Sequence, residues 1–421
     1  MRSVARLGAL FQLAACLAAC SPSAEQANPS ISEVTNAADN GARYPFVVTA
    51  ENKLLMSWLK PAGAAEKGQM NLVWASFDGE NWSEPELIES SESFFVNWAD
   101  FPSLTSLGDS PQAAHWLQKS EGGTYAYHVN MSFRSESGRW SQPIVPHQDQ
   151  SATEHGFVSL VPLDQDRVFA IWLDGYKTQG ASHGVSHDES SDHDTNLNHS
   201  MTLRSAIVNR DGTMSTEWEI DGSVCDCCQT AATRSGNRII VVYRNRDADE
   251  VRDHDYAVFD LETETWSEPM PLSSEGWMID GCPVNGPQIA ASGNTVIATW
   301  YTAANDQPRT YMAVSEDGGT SFSNPEMLDT SGTLGRVGIA FNTSQVALLT
   351  WLSIKDDGAA VLGRFWKSTG SGDQFVIGDI DKTRASGFPR TAAVGEDFLV
   401  VWTEPDSGSN IRTLLVSPKR Q

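Results

Sequence analysis

Short apolar runs that end in an aromatic residue and give way to a polar turn return along most of the chain. They read Leu54-Leu55-Met56-Ser57-Trp58, Ala113-Ala114-His115-Trp116, Val168-Phe169-Ala170-Ile171-Trp172 and Ile240-Val241-Val242-Tyr243. Val296-Ile297-Ala298-Thr299-Trp300, Leu348-Leu349-Thr350-Trp351 and Leu399-Val400-Val401-Trp402 continue the series. Successive aromatics stand 58, 56, 71, 57, 51 and 51 residues apart. Runs this short, rich in β-branched residues and bounded by turn formers, read as strands, and a period of this length marks stacked structural units. Each unit divides alike. Pro45 to Thr49 precedes Leu54 to Trp58, and Leu72 to Ser76 and Trp82 to Ile88 follow. Four antiparallel strands per unit, repeated radially, is the build of a β-propeller blade, which leaves few exposed sheet edges. Seven units are counted, and six would follow if one is degenerate. The last unit has three strands, near Thr391, Trp402 and Leu415. Ile31 to Asn36 is therefore expected to supply the fourth and close the ring. A pair of β-sandwiches would not space its aromatics so evenly.

Composition narrows the setting. With 421 residues, 40% of them hydrophobic, the chain is no disordered tract, and a closed β architecture can absorb its length as one domain. The net charge of −25 excludes nucleic acid and an anionic membrane surface as partners, since both need a basic face. An anionic ligand then requires a local cationic pocket.

The N-terminus carries an address. Arg2 and Arg6 precede a mostly apolar stretch from Leu7 to Leu17, too short to span a bilayer and built like a secretory signal. It ends in Leu17-Ala18-Ala19-Cys20, which resembles the bacterial lipobox, although Leu13-Ala14-Ala15-Cys16 repeats the pattern four residues earlier. The resemblance implies cleavage before Cys20 and lipidation of its thiol. An ordinary secretory signal with a stray cysteine is the alternative. The division expected is a signal over 1–20, a serine- and proline-rich tether over 21–40 and one propeller over 41–421. Ser21 in place of Asp after the lipidated position implies the outer membrane of a Gram-negative bacterium. Attachment to the membrane would be through the lipid alone.

A second mark lies in the turns. Ser315-Glu316-Asp317-Gly318-Gly319-Thr320-Ser321-Phe322 resembles the Asp-box, S-x-D-x-G-x-x-[WF]. Ser76-Phe77-Asp78-Gly79-Glu80-Asn81-Trp82 is a shortened version, and Ser135-Glu136-Ser137-Gly138-Arg139-Trp140 a weaker one. Such a turn works because the Asp carboxylate accepts turn amides, Gly takes φ > 0 and the aromatic tucks under the sheet. Together with the blade pattern, these turns resemble the sialidase (neuraminidase, BNR-repeat) superfamily across nearly the whole mature chain. The resemblance implies a sialidase-like propeller that binds a carboxylate-bearing glycan or small anionic ligand at its central mouth. An active member would be an exo-sialidase-like glycoside hydrolase, and a non-catalytic recognition module would only bind.

Propeller topology brings the starts of the innermost strands around the axis on one face. These positions are Arg43, Asp100, Glu154 with His155, Cys228 with Gln229, Asn285, Arg336 and Arg390, to which Asp174, Arg244 and Arg246 add. The family grips a substrate carboxylate with three arginines, which bidentate guanidinium pairing explains. Arg43-Tyr44-Pro45 resembles its R-I-P start of the first blade, so Arg43, Arg244 and Arg336 are the implied ligand-binding residues. Asp100 and Glu154 are the implied catalytic carboxylates. The chain departs from the pattern at Tyr44, lacks a motif for the nucleophilic tyrosine, and counts one blade more.

Cysteines make a separate constellation. Cys225-Asp226-Cys227-Cys228 lies in one inter-blade loop and Cys282 in the next. A long insertion beside them carries His183, His187, Asp188, His193, Asp194 and His199. Thiolates and imidazoles on one face suit Zn²⁺ or copper, with thiolates favouring Cu(I). Two disulfides are the other reading, since cysteines outside the cytoplasm usually pair. Three cysteines within four residues cannot all pair with one another, so at least one must reach elsewhere, and Cys282 is nearest.

Overall fold

Seven antiparallel sheets follow one another around an axis. The computed structural model describes residues 29–63, 68–108, 110–179, 199–329, 332–405 and 408–418. Blade 1 runs through Arg43–Ala50, Lys53–Pro61, Met70–Phe77 and Glu86–Ser91. Blade 2 has Ser103–Ser106, Pro111–Lys119 and Tyr127–Phe133, with a bridge from Met131 to Ile144 where a fourth strand would lie. Blade 3 comprises His155–Pro162, Arg167–Asp174, Met201–Asn209 and Trp218–Val224. Blade 4 comprises Ala231–Ser235, Arg238–Arg244 and His254–Asp260, edged by the short Thr265–Trp266 and Met270–Pro271. Blade 5 has Gln288–Ser292, Thr295–Thr302, Arg309–Ser315 and Glu326–Met327. Blade 6 has Thr333–Phe341, Ala347–Lys355, Gly358–Lys367 and Gly370–Ile380. Blade 7 has Arg390–Val394, Asp397–Glu404 and Asn410–Ser417, and its fourth strand is Ser30–Glu33.

That last pairing closes the ring. Ile31 stands opposite Val416 and Glu33 opposite Leu414, and Val34 N–H donates to Thr413 O at 3.0 Å. Ser30–Glu33, within the stretch expected to be tether, therefore belongs to the sheet. Each innermost strand packs against the next, and that of blade 7 packs against that of blade 1. There are seven blades, not six.

Burial explains the period. Trp58, Trp116, Trp172, Tyr243, Trp300, Trp351 and Trp402 are each at most 1% exposed, in the second strand of successive blades. Burying one such ring removes roughly 150–250 Å² from water, so a repeating aromatic between sheets contributes more to blade packing than any other single side chain. At the hairpin after Arg309–Ser315, Asp317 Oδ1 accepts the amides of Thr320 and Ser321, both at 3.0 Å. Phe322 packs edge-on against Tyr256 of the neighbouring blade. Asp78 likewise accepts from Glu80 and Asn81, and Trp82 lies against Phe77. These hairpins lie at the end of the third strands, on the face opposite the inter-blade loops. Among the described residues no helix is long and apolar enough to cross a membrane.

Candidate functional site

The face carrying the inter-blade loops gathers nearly all the unusual chemistry. Its backbone is unusual as well. Tyr44, Phe157 and Arg336 have φ of 54°, 53° and 50°, each beside a break in register at the start of an inner strand. Bulky residues in this region cost roughly 1–2 kcal/mol each and persist only where neighbours hold them. The holding groups are side chains from the preceding blade or the loop leading into it. Tyr44 N–H donates to Thr403 Oγ1 at 2.9 Å, Phe157 N–H to Asp100 Oδ1 at 2.9 Å, and Arg336 N–H to Asn285 Oδ1 at 2.8 Å. Gly286 N–H completes the series by donating to Gln229 Oε1 at 3.0 Å. Gly286 must be glycine, since a Cβ there would lie 2.2 Å from Gln229 O. Asp100, Gln229 and Asn285, which topology brings to the mouth, are thus inter-blade latches.

Asp100 and Glu154 do come together, and Tyr127 joins them. The phenol oxygen lies 2.9 Å from Asp100 Oδ2 and 2.5 Å from Glu154 Oε1. One phenolic proton cannot serve both contacts, so one carboxyl proton must complete the triad. Burial supplies the reason it is retained, pushing Asp100 up to about 7 against the opposing hydrogen bonds of Phe157 and Tyr127. Glu154 is also raised, by burial and by the nearby charges of Asp100, Asp226 and Cys282. Tyr127 is fully buried, and burial and both carboxylates push its phenol well above its ordinary value. It is therefore a neutral, buried hydroxyl. Gly156 allows the close packing, since a Cβ there would meet Asp100 Oδ2 at 2.0 Å.

Arg244 and Arg336 are each held by protein partners of their own. Arg244 is 2% exposed and donates to the main-chain oxygens of Arg252, Asn285 and Tyr301 at 2.6–2.9 Å, beneath the ring of Trp277. Arg336 donates to Ser386 Oγ and to the carbonyls of Thr383 and Gly387, and stacks on Trp98. Burial and the neighbouring Arg384 pull it down to about 10. Arg43 lies beside Tyr44, with a buried Nε that has no partner. Arg390 faces the axial channel, a cavity of about 130 Å³ that Asp100, Phe101, Phe157 and Gln229 also line. Its guanidinium sits 4.6 Å from the Phe101 ring centroid, its Nε is unpartnered, and burial pulls it down to about 10.

The cysteines converge. Cys225 Sγ lies 3.0 Å from Cys228 Sγ and 3.9 Å from Cys227 Sγ, and Cys227 hydrogen-bonds Cys282 from the next loop. None of the four is disulfide-bonded, so the two-disulfide reading is not what the structure holds. A cationic frame surrounds them. Arg246 bridges Asp226 at 3.1 Å and Glu250 at 2.7 Å, while Arg252 pairs Glu250 at 2.7 Å and points Nη1 at Cys225 Sγ, 3.7 Å away. Burial alone would raise the Cys225 thiol, yet hydrogen bonds from Cys227 and Cys228 and the charges of Arg252 and Arg244 hold it well below its ordinary value. The Cys227 hydrogen bond lowers Cys282 in the same way. Cys227 is raised by donating to its neighbours, and Cys228 by burial. His183 and His187, expected beside these sulfurs, lie outside the described residues, as does Cys20.

Sequence reasoning placed Arg246 at the mouth but did not single out Tyr127, His128, His147, Glu250 or Arg252. His128 occupies a half-buried position that alternates regularly with the buried Tyr127, Val129 and Met131, so the strand pattern gave it no mark.

No protein-family model matches the sequence, and no curated protein matches it. Among solved structures the chain is similar to Trypanosoma rangeli sialidase in complex with the inhibitor DANA, at 8% identity and a TM-score of 0.44. That match covers 90% of this chain and 55% of the sialidase, so the chain spans little more than half of that protein. The β-propeller domain of the Trilobed protease from Pyrococcus furiosus matches at 9% identity and a TM-score of 0.47, over 89% of this chain and 94% of that one. NanB sialidase from Streptococcus pneumoniae matches at 12% and 0.45, over 90% and 68%. Likeness at this level says nothing about activity.

Proposed function

We propose that the protein is a lipid-anchored, extracytoplasmic propeller that holds one thiophilic metal ion, Cu(I) or Zn²⁺, on Cys225, Cys227, Cys228 and Cys282. The observation that carries this is the convergence of the unpaired Cys225, Cys227 and Cys228 sulfurs beside a buried cationic frame, with the exposed Cys282 next to Cys227 as the fourth donor. Thiolates around Zn²⁺ at about 2.3 Å stand about 3.8 Å apart when tetrahedral, and the 3.9 Å between Cys225 and Cys227 already meets that spacing. Binding would expel the protons of Cys227 and Cys228, so affinity rises with pH. Arg252, Arg246 and Arg244 offset the added negative charge that a four-thiolate site carries, and soft sulfur donors select Cu(I) or Zn²⁺ over Ca²⁺ or Mg²⁺. Secretion and the Cys20 anchor would place the site where the cell meets external metal.

The test is a metal and thiol count on the soluble chain beginning at Ser21, purified under reducing conditions with Cu(I) or Zn²⁺ supplied. One ion per chain is expected, with the thiols reacting only after chelation, and Cys282→Ser is expected to lose the ion. Four freely reactive thiols without metal, or two disulfides in the native protein, would overturn the reading.

Arg390 favours a second reading, in which the axis binds a carboxylate-bearing glycan without hydrolysing it. Its guanidinium is buried against Phe101, no ion pair to it occurs among the described residues, and an anion would supply a partner for its buried Nε. Titration with sialic acid checks this: Arg390→Leu should abolish binding, and no binding by the wild type refutes it.

A further inference from the structure

The junction of blades 2 and 3 holds a cluster that neither reading uses. His128 comes from the start of a third strand, His147 from the inter-blade loop, and His155 from the start of an inner strand. Their rings stack at centroid distances of 4.0 Å for His147 on His155 and 5.2 Å for His128 to each of the others. We propose that His128, His147 and His155, with the carboxylates of Asp149 and Asp174 beside them, form a metal site for a borderline divalent ion of the Zn²⁺ class.

Hydrogen bonding orients the donors. His147 Nδ1–H donates to Asp149 O at 2.6 Å, which leaves Nε2 as the lone pair, and that atom is buried without a partner. His155 Nδ1 is 3.2 Å from Tyr127 O, so it too turns Nε2 outward. His155 Nε2 lies 2.9 Å from Asp149 Oδ2 and 3.7 Å from Asp174 Oδ1. His128 adds a buried, unpartnered Nδ1. His147, tied at Nδ1 to a main-chain carbonyl with Nε2 free, has the arrangement by which metal sites set the tautomer and direction of a histidine ligand, while His155 Nε2 is held by the Asp149 carboxylate. Without an ion, each orphaned ring nitrogen is a desolvated polar atom that costs about 1–3 kcal/mol.

The dimensions fit. One nitrogen from each histidine can be chosen so that all three lie within 4.8 Å of one another, and one donor atom each from Asp149, His155 and Asp174 meets the same limit. Nitrogen donors around tetrahedral Zn²⁺ stand about 3.4 Å apart, so each ring must shift by about an ångström or less to close on an ion. Imidazole selects Zn²⁺, Cu²⁺ or Ni²⁺ over Ca²⁺ and Mg²⁺, and the carboxylates offset the charge of a dication.

Equilibrium dialysis of the wild-type soluble chain against Zn²⁺, beside His147→Gln and half-exposed His128→Gln, tests this. Each variant is expected to bind one Zn²⁺ fewer than wild type, while Asp174→Asn weakens the same equivalent by about tenfold or more. Co²⁺ in that site should give weak visible bands without sulfur-to-cobalt charge transfer. Cys282→Ser should keep the equivalent, so failure of the thiolate site is read separately. If His147→Gln does not fold, His128→Gln carries the comparison. Equal Zn²⁺ content in wild type and the folded histidine variants, or Co²⁺ bound through sulfur alone, overturns the proposal.

Discussion

Replacing Asp100 by Asn separates the two jobs that this carboxyl performs. Oδ1 accepts Phe157 N–H, and Oδ2 meets the Tyr127 phenol. Asn keeps both contacts, since its oxygen can accept from Phe157 and its amide can donate to the phenol. What it removes is the ionisation. Burial holds Asp100 at about 7 in the fold, whereas an unfolded aspartate sits at about 3.9. A folded pKa raised above the unfolded one contributes stability that is complete below about pH 3.9 and is lost as pH rises through about 7. One pKa unit is worth about 1.4 kcal/mol, so the wild type loses about 3 kcal/mol from this group between pH 5 and pH 8. Asp100→Asn should lose none of it. Urea unfolding followed by tryptophan fluorescence at pH 5, 6, 7 and 8 reads the difference. The variant should gain on wild type by about 3 kcal/mol across that range, most of it below pH 7. Parallel stability curves would refute the argument, because they would mean that Asp100 is ionised in the fold throughout.

Cys20→Ala should move the protein from membranes to the soluble fraction without changing its unfolding midpoint, and a variant that still pellets after a salt wash contradicts lipid anchoring. Arg244→Met strips three buried carbonyls of their donor and should cost on the order of 3 kcal/mol by urea unfolding, a loss below 1 kcal/mol counting against the structural role. Gly156→Ala pushes a methyl into Asp100 Oδ2 and the Tyr127 ring, and should destabilise by about 3 kcal/mol or abolish the pH dependence ascribed to Asp100. An unchanged stability curve there would show that the Asp100–Tyr127 contact can shift freely.

The blade count was legible because each repeat must bury one large aromatic between sheets, and that demand leaves the same mark every 51 to 71 residues. The closing strand was legible because blade 7 lacked a partner for Asn410–Ser417. The positions around the mouth followed from topology, but their roles did not. That Asp100 latches Phe157 follows from the positive φ of Phe157, which sequence does not display. Arg244 and Arg336 looked free for the same reason, their carbonyl partners being contributed by distant turns. The cysteines announced themselves by crowding. His128, His147 and His155 did not, because they come from three separate elements and each reads alone as an ordinary histidine.

X-ray absorption at the copper edge, on the soluble chain loaded anaerobically with one equivalent of Cu(I), tests the central claim most directly. Sulfur neighbours alone around the copper, lost in Cys282→Ser or reduced by one scatterer, are the result expected from four converging thiolates. Copper surrounded by nitrogen and oxygen, or copper that washes off while the four cysteines stay reactive, would contradict it.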